Sequence, residues 1–148
     1  MINVFKGVNG YLSNFYVVRI SYDGLVYPSV EHAYQASKTI VRGGRDPFAI
    51  GGMNWNAASA KWAGKNLTLR PDWEKVKLGI MLQLIRQKFT NYEDIRQKLI
   101  NTDGHLLVES NYWHDDFWGN CTCIRCNKIS GQNHLGKILM RVREELRP

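Results

Sequence analysis

Residues 18–38 read VRISYDGLVYPSVEHAYQASK, and this stretch carries the two local signals that decide the fold. Apolar and polar residues alternate as far as Tyr22, and Asp23-Gly24 separates them from a second apolar run. An Asp-Gly pair between two such runs is typical of a two-residue hairpin, because glycine accepts the positive φ of a type I′ turn. Ser29 can then cap a helix through Lys38. We therefore expect a β-hairpin that runs directly into a helix.

The rest of the chain is predicted to be mainly helical, from capping residues and from apolar residues at three- and four-residue spacing. The expected elements are a short helix opened by Asp46-Pro47, a helix at 54–63 ended by Gly64, the longest helix from Pro71 through Phe89, a helix capped by Asn91 that ends near Ile100, a short strand at 105–108, and a final helix capped by Asn133. No repeat, linker or change in composition divides the chain. The sequence predicts one α+β domain over residues 1–148, dominated by helices, with a small antiparallel sheet near its N-terminus.

Length and composition exclude several classes of protein. The chain has 148 residues, 44% hydrophobic and 22% charged, which suits a soluble globular domain with a core of its own. No stretch approaches the roughly 18 consecutive apolar residues of a membrane span. The first six residues, MINVFK, lack the apolar region of a secretory signal. We expect a cytoplasmic protein with no membrane partner.

The positive charge is concentrated in the first two thirds of the chain. The formal net charge is +7, and residues 1–100 hold 14 Lys and Arg against 7 Asp and Glu. Residues 101–148 are neutral, with 6 of each. Such a one-sided field suits a phosphate-bearing partner, although a solvated surface that maintains solubility explains an excess of this size equally well.

Four places hold polar and aromatic residues that packing alone does not require. Asn14 and Phe15 suggest either a ligand shelf or a turn with a hydrophobic anchor. Glu31 suggests either a functional carboxylate or a complement to the helix dipole. Trp73 has the same ambiguity, because a single tryptophan commonly belongs to a core. The segment 115–119, DDFWG, combines two acids with Trp and Gly outside regular structure, which favours a binding or catalytic loop.

The three cysteines are crowded into six positions, at Cys121, Cys123 and Cys126. With His114 or His134 they could bind a structural zinc ion through three sulfurs and one imidazole, although the paired C-x2-C knuckles of strong zinc sites are missing. Reduced thiols are the alternative. A disulfide is disfavoured in a cytosolic chain, and no single thiol stands out as a nucleophile.

Five short motifs follow one another along the chain. They are Leu12-Ser13-Asn14-Phe15-Tyr16, then Tyr27 to Gln35 with Lys38, then Arg70-Pro71-Asp72-Trp73-Glu74 with Lys77 and Met81, then Asp115-x-x-Trp118-Gly119, and last Gly131-x-Asn133-x-Leu135-Gly136-x-x-Leu139-Met140-x-x-Arg143. Together, and over nearly the whole chain, they resemble the NADAR family of YbiA-like proteins. Walker-type, dinucleotide-binding, zinc-protease and serine-hydrolase motifs are absent from the sequence.

The resemblance implies an N-glycosidase that acts at the anomeric carbon of a ribose. The family's functional residues fall here on Glu31, Trp73, Asp115 and Trp118. Two substrate types are associated with the family: ADP-ribose attached to guanine, free or in nucleic acid, and the ribosylamino-pyrimidine phosphates of riboflavin synthesis. The cysteine-containing segment departs from the YbiA-type pattern, which leaves the substrate subtype open.

Cleavage of a ribose C1–N bond develops positive charge on the sugar. Glu31 and Asp115 are expected to act as a pair: one stabilises that charge or orients water, and the other protonates the departing nitrogen. Their individual roles stay open. Trp73 and Trp118 are expected to wall the pocket and stack on the base. Hydrolysis requires no cofactor beyond water.

Further residues are expected to bind the substrate. Asn14, next to Phe15, can hydrogen-bond ribose hydroxyls. Lys38, two helical turns from Glu31, can bind a phosphate or orient that carboxylate. The start of the last helix at Asn133 is expected to offer free N–H groups to a phosphate, and Gly119 completes the set.

Two other functions compete with hydrolysis. A module that binds ADP-ribose or NAD without cleaving it is the main alternative, although recognition alone does not require both acidic residues. A basic nucleic-acid-binding protein would instead show strongly salt-dependent binding to plain DNA or RNA. The expected partner is therefore a nucleotide or ADP-ribose, free or attached to nucleic acid.

Overall fold

The hairpin forms where the Asp-Gly pair predicts it. In the computed structural model, which describes every residue from 1 to 148, β1 (Ile20–Tyr22) pairs antiparallel with β2 (Leu25–Tyr27). Asp23 and Gly24 have φ values of 47° and 87°, as both central residues of a type I′ turn require. The predicted small antiparallel sheet is confirmed.

The hairpin leads into α1 (Val30–Ser37), which is buried along its whole length. Ser29 caps it in extended conformation, and its Oγ accepts the backbone N–H of His32 at 3.2 Å. This is the capping geometry expected from the sequence. Because α1 is short and entirely buried, a polar group on it that has no partner inside the protein is unfavourable.

Helices account for most of the remaining regular structure, as predicted. They are α2 (Ala57–Ala63), α3 (Trp73–Asn91), α4 (Glu93–Ile100) and α5 (His134–Leu146), with 3-10 turns at Gly7–Leu12, Asp46–Phe48 and Gly64–Asn66. None of these helices is long and apolar enough to cross a membrane. A second sheet consists of two parallel two-residue strands, β3 (Ser110–Asn111) and β4 (Asn120–Cys121).

Three helix boundaries differ from the prediction. Asp46 is the first residue of its 3-10 turn rather than the cap before it. The helix predicted at 54–63 begins only at Ala57, after its cap Asn56, although it ends before Gly64 as predicted. Asn91 is the last residue of α3, and α4 begins only after the extended residue Tyr92.

The strand predicted at 105–108 is wrong. Leu107 forms only an isolated parallel bridge with Ile2, and the paired strand lies further on, at Ser110–Asn111. The predicted segment is apolar enough for a strand, but the only ladder partner that it meets is one residue near the N-terminus. Strand pairing depends on such distant partners, which local patterns do not encode.

The Cα packing of the chain defines two compact units, each with its own buried side chains. The hairpin unit is Asn14–Lys88, with Ile20, Tyr27, Met81, Leu84 and Ile85 among its core residues. The terminal unit is Met1–Ser13 with Phe89–Pro148, and its core includes Leu12, Phe89, Leu99, Leu107 and Leu139. The assignment of residues 1–148 to one domain stays a prediction.

Candidate active site

The main candidate residue of the hairpin unit is Glu31, which lies in the first turn of α1. Its side chain is only 7% exposed, and Oε1 accepts a hydrogen bond from Nε2 of Gln35 at 2.8 Å. Its backbone N–H donates to the carbonyl of Asn14 at 3.0 Å. A carboxylate that only complemented the helix dipole would have no reason to be buried, because burial of a charge is unfavourable. The burial therefore favours a functional carboxylate.

Two hydrogen-bond acceptors with no partner lie within this cluster. Oδ1 of Asn14 and Oε1 of Gln35 are both buried and accept no hydrogen bond, while Nδ2 of Asn14 contacts Sδ of Met81 at 3.6 Å. An unsatisfied buried acceptor costs roughly 1–3 kcal/mol. Both atoms belong to residues that are hydrogen-bonded to Glu31. They are suited to receive hydroxyl protons from a bound sugar.

Lys38 follows α1 and lies within electrostatic range of Glu31. Burial lowers the pKa of Lys38, Glu31 opposes this effect, and the positive charges of Lys61, Lys65 and Lys77 add to it. We call these four residues the lysine cluster. Because three further positive charges act at Lys38, an anion beside it is favoured. A phosphate group is the natural ligand for such a field.

Trp73 begins α3 and packs onto α1. It is 7% exposed, and its ring lies 5.3 Å from that of Tyr34, with an interplanar angle of 49°. The Nζ of Lys38 lies 5.6 Å from the centre of the same Tyr34 ring. Phe15, in contrast, is 40% exposed beside the buried Asn14. The hairpin unit therefore brings together five of the predicted residues, Asn14, Phe15, Glu31, Lys38 and Trp73, and it adds Tyr34 and Gln35.

His32, adjacent to Glu31, has a structural role. Its Nδ1 lies 2.6 Å from Oγ of Ser29, and its Nε2 lies 2.7 Å from the carbonyl of Trp55, to which it must donate. The neutral tautomer with a proton on Nε2 satisfies both bonds. Burial lowers the pKa of His32, which favours the neutral ring. Through these two hydrogen bonds the ring connects α1 to the segment before α2.

The side chain of Gln35 occupies the space where any side chain at position 64 would begin, so this position requires glycine. A Cβ at position 64 would collide with Oε1 of Gln35 and come within 2.7 Å of its Cδ. We expect Gly64→Ala to displace Gln35, to lower the free energy of unfolding by about 1–3 kcal/mol and to reduce kcat/KM. Gly79→Ala is the matched control, because a Cβ there meets nothing within 4 Å and should stabilise α3 by up to about 1 kcal/mol. Thermal unfolding of both variants measures the difference, and equal stability would contradict the role assigned to Gly64.

In the terminal unit, Asp115 organises its own loop. Its Oδ1 accepts the backbone N–H groups of Phe117 at 3.2 Å and Trp118 at 2.9 Å, as in an Asx turn. The side chain of Asn111, which is fully buried, makes two hydrogen bonds to the backbone of Asp115. Its Nδ2 donates to the Asp115 carbonyl, and its Oδ1 accepts from the Asp115 N–H. Sequence reasoning missed Asn111, since an asparagine in an irregular segment carries no signal of its own.

Trp118 lies in an aromatic group within the same unit. Its ring is 4.9 Å from that of Phe117, in an edge-on arrangement, and 6.5 Å from the His134 ring. Trp118 is half-buried, so part of the indole is open to solvent. An exposed indole surface held by its neighbours is suited to stacking on a planar base.

Gly119 is buried where it contacts other backbone. A Cβ at this position would collide with the carbonyl and the carboxylate of Glu109 and approach Nδ2 of Asn111 to 2.9 Å. This close approach explains by packing alone why position 119 holds a glycine. The predicted contact of Gly119 with substrate stays a prediction.

The free N–H groups predicted at Asn133 are absent. The N–H groups of Asn133, His134 and Leu135 donate to the carbonyls of Gly119, Phe117 and Trp118 at 2.9–3.1 Å. Both polar atoms of the Asn133 side chain are also hydrogen-bonded: Oδ1 accepts from the Glu109 N–H, and Nδ2 donates to the Leu107 carbonyl. These three N–H groups are therefore not free to bind a phosphate, and contact of Asn133 with substrate stays a prediction. The loop carbonyls cap the helix instead.

The three cysteines lie close together with His114 rather than His134. One donor atom from each of these four residues lies within 4.8 Å of all the others. His134 instead packs against the rings of Phe117 and Trp118. The three cysteines are free thiols, and burial together with the two neighbouring thiols raises the pKa of Cys126 to about 12.

A surface depression of about 440 Å³ lies in the terminal unit. It is lined by side chains from segments 2–11 and 98–105, including Tyr11 and Lys98. None of the candidate residues borders it. We therefore base the candidate site on Glu31 with its neighbours Asn14, Gln35 and Lys38, and on the Asp115 loop, each within its own unit.

Known proteins similar to this chain include several named N-glycosidases. The NMR structure of Escherichia coli YbiA matches with a TM-score of 0.80 at 31% identity, over 98% of this chain and 83% of that one. N-glycosidase Npun_R5314 of Nostoc punctiforme is 39% identical over 142 residues, which is 93% of this chain and 86% of that protein. Fold and relatives together define the class: a YbiA-like α+β protein whose relatives are named N-glycosidases, names that support a glycosylase type of hydrolase activity.

The family model for the NADAR domain matches residues 4–147. This chain belongs to the NADAR family, and the resemblance seen in its motifs is confirmed. Riboflavin biosynthesis protein VVA0006 of Vibrio vulnificus is also similar, at 32% identity over 93% of this chain, but the match covers only 36% of that protein.

Proposed function

We propose that this protein hydrolyses the ribose C1–N bond of a guanine base that carries ADP-ribose, either as a free nucleotide or within nucleic acid. The observation that carries the proposal is the buried carboxylate of Glu31, bonded to Gln35 and accompanied by two buried acceptors without partners. A ribose ring offers the complementary hydroxyl donors.

The proposed reaction is a substitution at C1 of the ribose. The C1–N bond breaks, a water oxygen bonds to C1, and the released base nitrogen receives a proton. The anionic form of Glu31 would stabilise the positive charge that develops on the ribose ring, and in a buried setting this electrostatic attraction is stronger than in water. Asp115 is proposed as the second carboxyl group, with Trp73 and Trp118 as the aromatic surfaces that bind the base. Water is the only co-reactant.

The lysine cluster supports a substrate with more than one phosphate. Lys38 is partly buried near Glu31, and the charges of three further lysines act on it. A pyrophosphate such as that of ADP-ribose places two negative charges next to the ribose that reacts. The excess of basic residues before position 100 suits the same ligand when it is attached to a nucleic acid.

The second candidate substrate is a ribosylamino-pyrimidine phosphate of riboflavin synthesis. Two similar proteins, from Vibrio vulnificus and Zea mays, are named riboflavin biosynthesis proteins. The same C1–N bond would be broken with the same residues. Only the leaving base and the number of phosphates differ.

The test is cleavage of three substrates in parallel: ADP-ribosyl-guanosine, an oligonucleotide with ADP-ribosylated guanine, and a ribosylamino-pyrimidine phosphate. Mass spectrometry should detect free ADP-ribose from the first two, at a higher kcat/KM than any product from the third. Faster cleavage of the pyrimidine would favour the second candidate. Tight binding of ADP-ribose without cleavage of any substrate would refute an N-glycosidase and indicate a binding module.

A further inference from the structure

A cluster of four metal-ligating side chains lies outside every residue used in the proposed reaction. Nδ1 of His114 is 3.3 Å from Sγ of Cys123 and 3.3 Å from Sγ of Cys126, and Sγ of Cys121 completes the group within 4.8 Å. Zinc takes sulfur at about 2.3 Å and nitrogen at about 2.0–2.1 Å, so that tetrahedral ligand atoms lie roughly 3.6–3.8 Å apart. Small side-chain movements bring the four atoms to that spacing.

We propose that His114, Cys121, Cys123 and Cys126 bind one Zn²⁺ ion as a closed site of three thiolates and one imidazole. These ligands match the preference of zinc and differ from the oxygen ligands that magnesium and calcium require. The odd number of thiols also argues against a disulfide, which would leave one thiol without a partner. On binding, Zn²⁺ replaces the three thiol protons, which pass to solvent, and takes the lone pair of neutral Nδ1.

The backbone positions these ligands before any ion is bound. Cys121 is buried in β4, which pairs with β3. The N–H groups of Cys126 and Asn127 both donate to the carbonyl of Cys123, at 3.0 and 2.9 Å, which folds the second and third cysteines into one tight turn. His114 reaches the same point from the other side of the loop, with a left-handed φ of 69°.

The charges around the cluster also fit a zinc thiolate centre. A Zn²⁺ ion with three thiolates and a neutral imidazole carries a net charge of −1. Arg125 lies in the turn between two ligands, and its guanidinium is 2.7 Å from Nε2 of His114. When Nδ1 binds metal, Nε2 carries the ring proton and cannot accept from Arg125. The exposed guanidinium would therefore turn to the thiolates, whose charge it offsets.

The zinc site would have a structural purpose. Its ligands enclose residues 114–126, and this segment contains Asp115 and Trp118. Zinc would add a further fixed point to a loop that short strands, backbone hydrogen bonds from residues 132–135 and side-chain hydrogen bonds also hold. The inference does not depend on the proposed substrate, because metal binding can be measured without any turnover.

The test begins with the full chain, purified under reducing conditions without an affinity tag or chelator. Elemental analysis should find one zinc per chain, and titration of the metal-free protein with Zn²⁺ should saturate at the same ratio. Co²⁺ should give the visible absorption of a tetrahedral ion and thiolate-to-metal charge transfer in the near ultraviolet. A metal-free chain that shows no saturable Zn²⁺ binding would overturn the proposal.

Variants identify the ligands independently of folding. Cys123→Ser and His114→Ala should each weaken zinc binding by more than the roughly 10–100-fold typical of residues that merely support a ligand. His114→Cys should restore binding through four thiolates, and His105→Ala is the matched control for an exposed histidine. Should Cys123→Ser be unstable, the Co²⁺ spectrum of His114→Cys, with stronger charge transfer than the wild type, still tests the assignment. Unchanged spectra in both His114 variants would exclude this histidine and refute the proposed ligand set.

Discussion

We expect Glu31→Gln to lower kcat/KM for the proposed cleavage of the ribose C1–N bond by about 10³-fold or more while the fold persists. Glutamine has nearly the shape of glutamate, and its Oε1 can still accept the hydrogen bond that Gln35 donates at 2.8 Å. The substitution therefore removes a negative charge and little else. Single-turnover measurements on the substrate that the wild type cleaves best, with products followed by mass spectrometry, give the loss directly.

Stability separates a catalytic carboxylate from a structural one. A buried charge is unfavourable unless its surroundings stabilise it, so that neutralising a carboxylate retained for catalysis should leave Tm equal or higher. Removing a carboxylate that holds the core together would instead lower Tm. We expect Glu31→Gln to be inactive and at least as stable as the wild type.

Glu93→Gln is the matched control. Glu93 is exposed and its Oε1 accepts a hydrogen bond from Nε2 of Gln97, four residues on, at 2.7 Å, so the same chemical change occurs in the same kind of pair outside the candidate site. We expect a change in kcat/KM within about threefold, as for a surface ion pair. Similar losses in both variants would indicate a general effect of charge and would refute the role of Glu31.

The local part of the fold could be predicted from the sequence. The Asp23-Gly24 turn and the Ser29 cap each depend on residues within a few positions, and both occur as expected. The Glu31–Gln35 hydrogen bond also follows from helix geometry, because residues i and i+4 are neighbours on one face. For the same reason, the buried half of the candidate site was largely accessible to sequence reasoning.

Contacts between distant residues could not be predicted in this way. The N–H groups at the start of α5 meet the carbonyls of residues 117–119, and Asn111 holds Asp115, through loop conformations that no periodic pattern describes. The choice of His114 over His134 as the neighbour of the cysteines depends on the same loop. The sequence thus identified the chemical groups of this segment, but not how they are arranged.

We expect Asp115→Asn to lower kcat/KM by about 10²-fold or more, the range typical of the loss of a group that transfers a proton. Asparagine favours the same Asx turn, so its Oδ1 can accept the hydrogen bonds that the N–H groups of Phe117 and Trp118 donate to Asp115. Loop shape should persist while the ionisable group disappears. Steady-state kinetics and near-ultraviolet circular dichroism of the tryptophans measure activity and loop structure separately.

Asp116→Asn is the control at the next position. Its Oδ1 accepts the N–H of Cys121 at 2.8 Å, a bond that asparagine can also make. Activity within about threefold of the wild type is expected for this variant if only Asp115 takes part in the reaction. A loss as large as that of Asp115→Asn would mean that the loop tolerates no neutral substitution, and the assignment to Asp115 would fail.

The two carboxylates can be assigned to their roles by varying the leaving base. Loss of the group that protonates the departing nitrogen matters less when the base is a better leaving group, whereas loss of the group that stabilises the sugar cation matters for every base. The variant whose rate recovers on a nucleotide with a more acidic base therefore lacks the general acid. If Glu31 and Asp115 act in the same chemical step, the double variant should be scarcely slower than the worse single variant, because residues that work as a unit lose their effect together. Multiplied losses in the double variant would instead show that the two residues contribute to the reaction independently.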